Sequence, residues 1–192
     1  DPRPRGHEYC GVVEAVGDAV RDIRVGDFVV GGFYASCNVC VHCRAGFPNG
    51  CVRHQWYDGC QAELLRVPLA DGTLVAAPGQ PDEAMVPSLL TLSDVMATGW
   101  HAAVMAGVRP GGTAVVVGDG AVGLCGVLAA SQLGAGRVIA MSRHASRQKV
   151  ARRFGATDVV EERGDEGVAR IAELTDGVGA DAVLECVGTG DA

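Results

Sequence analysis

Four cysteines, Cys37, Cys40, Cys43 and Cys51, stand in the spacing C-x2-C-x2-C-x7-C inside residues 31–60, a stretch with several Asn/Gly/Pro residues and almost no hydrophobic periodicity. Three thiolates so close in the chain can converge on one tetrahedral ion while the fourth closes the site, and a loop without a core gains its order from the metal. The spacing predicts a structural zinc lobe over about residues 36–52. An iron–sulfur cluster is the competing reading, but the bacterial ferredoxin pattern closes after three residues with Cys-Pro, and here seven residues intervene. Disulfides come third, because a chain with long Val/Ala/Leu/Gly segments can pack without such staples, and a reducing compartment fits it better.

A second chemical signal follows the run Val115-Val116-Val117. Gly118-Asp119-Gly120-Ala121-Val122-Gly123 is a G-x-G-x-x-G placed after a strand and before a helix. The first glycine makes the turn, the second lets backbone approach a pyrophosphate, and the third lets helix pack on strand, leaving helix N–H groups aimed at the anion. In a chain with 28 glycines the same spacing also describes a plain strand-to-helix turn; its context selects the dinucleotide site. About 20 residues beyond the last glycine, an acid would bond the ribose 2′-hydroxyl. That place holds Ser142, followed by Arg143, His144 and Arg147. Guanidinium groups without a carboxylate suit a 2′-phosphate, so NADP is favoured over NAD; the alternative is that these arginines are the solvated start of a helix.

The elements that must carry these residues change character along the chain. From Tyr9 to Val30 short β-branched runs alternate with Gly17-Asp18 and Gly26-Asp27, the signature of strands and tight turns in a small β-rich unit. Leu64 to Pro68 and Thr73 to Ala77 read as further strands, and Leu92 to Met105 as a helix stopped by Gly107 and Pro110. Strands are then predicted at Ala114–Val117, Val138–Met141, Asp158–Val160 and Ala182–Cys186, alternating with helices at Ala121–Leu133, Ser146–Phe154 and Val168–Thr175. Such alternation means a parallel sheet wrapped by helices, hence an α/β fold.

Composition narrows the function classes. With 16 basic against 23 acidic side chains the net charge is −7, and no basic tract offers a grip on nucleic acid or anionic lipid. The most apolar stretch, Ala121 to Ala135, is interrupted by glycines and too short to span a bilayer, so a soluble, cytoplasmic protein with no membrane partner is expected. The chain begins at Asp1 rather than Met, and both ends read as cut, which makes it a fragment in this reading.

Several motifs occur in one order: Gly6-His7-Glu8, Gly11-Val12-Val13-Glu14-Ala15-Val16-Gly17, Val25-Gly26-Asp27, the four-cysteine lobe, Thr98-Gly99 and the glycine fingerprint. In that register the chain resembles the zinc-containing medium-chain alcohol dehydrogenases, above all the formaldehyde-dehydrogenase-like branch. The resemblance implies a partial GroES-like catalytic domain over residues 1–97 and a partial Rossmann NAD(P)-binding domain over 98–192. It implies hydride transfer between a small alcohol or aldehyde and the cofactor, with one catalytic and one structural zinc per full-length subunit, in a homo-oligomer. His7 matches the second ligand of the catalytic zinc, Asp94 the third, and Glu8 the carboxylate near the metal. Carboxylate in place of thiolate keeps one negative charge on the ion, so the set stays sensible for zinc. The first ligand, a cysteine upstream of the histidine, has no position in this chain, and the fragment alone is expected to be inactive. By the same resemblance Thr98 lies behind the nicotinamide, while Val187 and Gly188 contact its carboxamide side.

Taken singly, a histidine after glycine and an aspartate early in a helix are ordinary structural residues; it is the register shared with that family that implies they are ligands. Two further readings stay open, a non-catalytic zinc-stabilised NAD(P)-binding module and a zinc-free quinone reductase of the same superfamily, since fold alone does not guarantee chemistry.

Overall fold

The fold is taken from a computed structural model, which describes residues 5–188. The chain divides into two compact units, Asp1–Asp94 and Val95–Ala192.

In the first unit β1 (Tyr9–Val12) pairs antiparallel with β2 (Phe28–Gly31), Tyr9 lying opposite Gly31. Two reciprocal bonds of 2.9 Å, from the Val13 N–H to the Asp27 carbonyl and from the Gly26 N–H to the Val13 carbonyl, extend the pairing. A two-stranded ribbon follows, β3 (Tyr34–Ala35) with β4 (Gln55–Trp56), and between its strands lie α1 (Val41–Arg44) and a 3-10 turn at Pro48–Gly50. The helix α2 (Ala70–Thr73) leads into β5 (Leu74–Ala76), which takes the other edge of β2. Then α3 (Val86–Leu90) and a 3-10 turn at Thr91–Ser93 bring the chain to Asp94. Tyr9, Ile23, Phe28, Val29 and Ala35 are buried here. No strand forms at residues 64–68. Leu64 is 75% exposed and no residue of the run is fully buried, so little stabilises pairing, and β2 has both edges occupied already.

The second unit opens with α4 (Val95–Met105) and alternates strictly: β6 (Thr113–Val117), α5 (Ala121–Gln132), β7 (Arg137–Met141), α6 (Ala145–Arg153), β8 (Asp158–Val160), α7 (Gly164–Leu174) and β9 (Ala182–Glu185). The four strands are parallel in the order β8-β7-β6-β9. The central strands β6 and β7 are buried on both faces, which is why they read as unbroken apolar runs, whereas β9 alternates and leaves Val183 exposed. Ala114, Val116, Val138, Ala140 and Leu184 pack with Val127, Ala129 and Ala130 of α5 and Ala103 of α4. Val115, Ile139, Met141 and Val160 form the other layer with Ile171 and Leu174 of α7.

Two helix starts differ from the sequence reading. The helix α7 begins at Gly164, ahead of Val168, because its first turn is polar, with Asp165 and Glu166 suited to the positive end of the helix dipole, and apolar spacing is blind to it. The segment from Leu92 is not one helix with α4: Asp94, at φ −148° and ψ −73°, interrupts it.

Candidate functional site

The cysteine lobe is assembled by local turns. Cys40 precedes α1, Cys43 lies within it, and Cys51 follows the 3-10 turn at Pro48–Gly50. All four ligating sulfurs lie within 4.8 Å of one another, with 3.5 Å between Cys37 and Cys51 and between Cys40 and Cys43. Four thiolates on one tetrahedral zinc stand about 3.8 Å apart, given a zinc–sulfur bond of about 2.3 Å, so the residues fit a single ion. The backbone adds donors: the N–H groups of Cys37 and Arg53 each lie 3.3 Å from the Cys51 sulfur. Backbone N–H groups of Cys43 and Val52 hold the Cys40 thiol down to about 6, whereas burial among its neighbours pushes Cys43 up to about 12. Donors aimed at sulfur favour thiolate, the form a metal takes.

A second pair forms outside the lobe. Gly6, at φ +81° in the left-handed region that favours glycine, turns the chain so that His7 leaves the direction of β1. From the other end of the unit comes Asp94, and the His7 Nε2 lies 2.7 Å from the Asp94 Oδ2 although the residues are 87 apart in sequence. The preceding residue sets that approach: buried Ser93 donates to the Gly31 carbonyl at 2.6 Å and accepts the Tyr9 N–H at 3.0 Å. Ser93 thus ties the turn before Asp94 to both strands that follow His7. Nitrogen and oxygen ligands of one tetrahedral zinc stand about 3.4 Å apart, so a slight opening of the pair would admit the ion. Among the described residues no third histidine, cysteine or carboxylate lies within ligating reach of the pair, Glu8 included. Beside His7 opens a cleft of about 510 Å³ lined by Phe33, Trp56, Tyr57 and Asp58. Phe33 stacks on Trp56 with ring centroids 5.4 Å apart and meets the His7 ring edge-on at 5.5 Å.

In the second unit the glycines of the fingerprint have separate reasons. Gly118 has φ +108°, a Cβ on Gly123 would lie 2.2 Å from the Gly118 carbonyl oxygen, and a Cβ on Gly120 would meet nothing within 4 Å. The turn is therefore closed towards the sheet and open outward at Gly120, with Ala121, Val122 and Gly123 in the first turn of α5 where backbone N–H groups lack helical partners. That end of the sheet is also its switch point, since the chain moves from β6 outward to β7 and β8 and returns on the other side of β6 as β9. Val187, just past β9, donates its N–H to the Glu185 carboxylate at 2.7 Å, and its side chain flanks Gly118; Gly188 follows at φ +81°. Thr98 lies on an exposed position of α4.

The end of β7 differs from the arrangement expected of it. Ser142 is fully buried and its hydroxyl donates to Asp119 at 2.8 Å, while Arg147 donates to the same carboxylate at 2.9 Å. A carboxylate therefore stands where sequence spacing found none, and it comes from the glycine turn. Arg143 and His144 are exposed and make no ion pair among the described residues. Sequence reasoning passed over Asp119, Ser93 and the aromatic wall. Only Asp119 carried a signal, an acid in the second place of the fingerprint.

Residues 1–79 match the family described as alcohol dehydrogenase GroES-like domain, and residues 121–192 that described as zinc-binding dehydrogenase. The chain is 38% identical over 95% of its length to zinc-type alcohol dehydrogenase B of Aspergillus flavus, of which it spans 45%. It is also 38% identical over 97% of its length to the medium chain reductase/dehydrogenase ucsI of Acremonium, of which it spans 67%. Among solved structures, alcohol dehydrogenase TADH from Thermus sp. ATN1 is similar with a TM-score of 0.84 and 34% identity, over 96% of this chain and 55% of that one. The chain thus spans between about half and two thirds of the length of these relatives.

Proposed function

Since the chain belongs to the zinc-binding medium-chain alcohol dehydrogenase family, we propose that the whole protein is a zinc-dependent oxidoreductase acting on a small alcohol or aldehyde with a nicotinamide dinucleotide. The observation that carries this reading is the 2.7 Å approach of His7 to Asp94 beside an aromatic cleft, in a unit whose four-cysteine lobe is separate and complete in itself.

In this reading a zinc at His7 and Asp94 supplies a Lewis acid for the substrate oxygen, and the nicotinamide supplies the hydride acceptor or donor. The remaining work belongs to the chain. His7 and Asp94 present one nitrogen and one oxygen donor, Ser93 keeps Asp94 in place, and Glu8 stands in reserve next to His7. Phe33 and Trp56 give a flat apolar wall that excludes water and holds the carbon skeleton of a small substrate. Gly118, Gly120, Ala121, Val122 and Gly123 cradle the pyrophosphate; Thr98, Val187 and Gly188 flank the nicotinamide; and Arg143 is the cation available to a 2′-phosphate, the feature that would favour NADP. We carry forward the formaldehyde-dehydrogenase-like branch, a homo-oligomer and a cytoplasmic setting; the eight free cysteines suit a reducing compartment.

Metal content tests the proposal. The full-length protein should hold two zinc ions per subunit; His7→Ala should lower this to one and abolish turnover on a panel of alcohols, while Cys51→Ser should remove the other. A wild-type protein with a single zinc, retained in His7→Ala, would support a non-catalytic module instead.

A further inference from the structure

Asp119 occupies the second place of the glycine fingerprint, where the site uses the backbone and leaves the side chain uncommitted. Here that side chain reaches from the end of β6 to the end of β7. Its Oδ2 accepts the Ser142 hydroxyl at 2.8 Å and its Oδ1 accepts Arg147 at 2.9 Å. The backbone N–H of His144, just ahead of α6, adds to the pull on its charge. Burial works against the charge, but these three donors outweigh it and hold the carboxyl below its usual range. The side chain is only 12% exposed.

A hydroxyl and a guanidinium at the close of the second strand are donors suited to an adenosine 2′-phosphate. In this protein they already hold an anion. We propose that Asp119 sets the balance between NAD and NADP, disfavouring NADP because its carboxylate occupies the donors that a 2′-phosphate would need. An acid at this place normally belongs to the second strand and accepts the ribose 2′-hydroxyl. Here the turn after the first strand delivers the acid to the same spot. A dianionic phosphate must either displace the carboxylate from Ser142 and Arg147 or lie against it; a 2′-hydroxyl meets no such obstacle and gains an acceptor. Arg143, exposed beside Ser142, can still approach a phosphate from solvent, so NADP binding is weakened and not abolished.

The inference rests on the nicotinamide reading above, and direct binding separates the two. Dissociation constants for NADH and NADPH are measured on the full-length protein, without substrate, by nicotinamide fluorescence. Asp119→Asn should raise affinity for NADPH relative to NADH by roughly tenfold, the scale of one close charge interaction, and adding Arg147→Ala should cancel most of that gain. If Asp119 were only a structural tie between the turn and α6, both cofactors would weaken alike. An unchanged ratio, or one moved towards NADH, overturns the proposal. If Asp119→Asn fails to fold, Asp119→Ser, which keeps a short polar side chain without the charge, carries the same expectation. Should the wild type bind neither cofactor, the nicotinamide reading falls and this inference with it.

Discussion

The Tyr9 and Tyr57 hydroxyls form a short relay at the scale of single side chains. Tyr57 donates to the Gly32 carbonyl at 2.5 Å and so receives the Tyr9 hydroxyl, also at 2.5 Å. Burial raises both phenols, Tyr57 to about 12, and Tyr9 rises further because it is the donor of the pair. A group whose folded pKa lies above its unfolded value stabilises the fold fully below the unfolded pKa and loses that contribution as pH climbs through the folded one. Stability should therefore hold up to about pH 10 and decline between there and about 12. Urea midpoints across that range would check it, with phenolate absorbance rising only as the protein unfolds. Tyr57→Phe should cost about 1–2 kcal/mol, since the Tyr9 hydroxyl and the Gly32 carbonyl both lose their partner. Flat midpoints through pH 12 would contradict the relay. Nothing in the sequence pointed to these tyrosines, because partners 48 residues apart leave no local pattern.

At the scale of elements, close backbone approach decides which glycines matter. A Cβ on Gly123 would lie 2.2 Å from the Gly118 carbonyl oxygen, and a Cβ on Gly99 would lie 2.7 Å from the Gly126 nitrogen where α4 meets α5. Both obstacles are backbone, so neither can turn aside as a side chain would. Gly123→Ala and Gly99→Ala should each cost about 1–3 kcal/mol, the usual range for overpacking. Gly123→Ala should in addition weaken dinucleotide binding, because it spreads the turn proposed to hold the pyrophosphate; calorimetric melting with and without cofactor would separate these effects. A Gly123→Ala protein that binds cofactor normally would remove the turn from the site. The alternating elements of the second unit were legible above all at β6 and β7, because parallel strands buried on both faces are continuous apolar runs. The start of α7 and the break at Asp94 were not, since a polar first turn and a local backbone excursion leave hydrophobic spacing undisturbed.

On the scale of the whole molecule, each of the two units has its own internal source of stability. The parallel sheet has apolar layers on both faces, whereas the cysteine lobe is a short helix and a 3-10 turn, and of residues 37–51 only Cys43 and Cys51 are buried. Chelation should therefore loosen residues 37–51 and leave β6 and β7 intact. Hydrogen exchange would show fast amides confined to the lobe, and equal protection with and without metal would remove zinc from the structural argument. Sequence alone determined the features that depend on near neighbours along the chain. The cysteine spacing closes through local turns, the glycine fingerprint acts within one strand-turn-helix unit, and the strand runs need only burial. Tertiary structure alone decided which distant side chains meet. His7 reaches Asp94 because Gly6 turns the chain and Ser93 anchors the other partner to β1 and β2. Asp119 reaches Ser142 because parallel pairing brings the ends of β6 and β7 side by side. Spacing encodes contacts within a few residues, but the direction of a side chain across a fold follows from strand register and turn geometry, which exist only once the chain has folded.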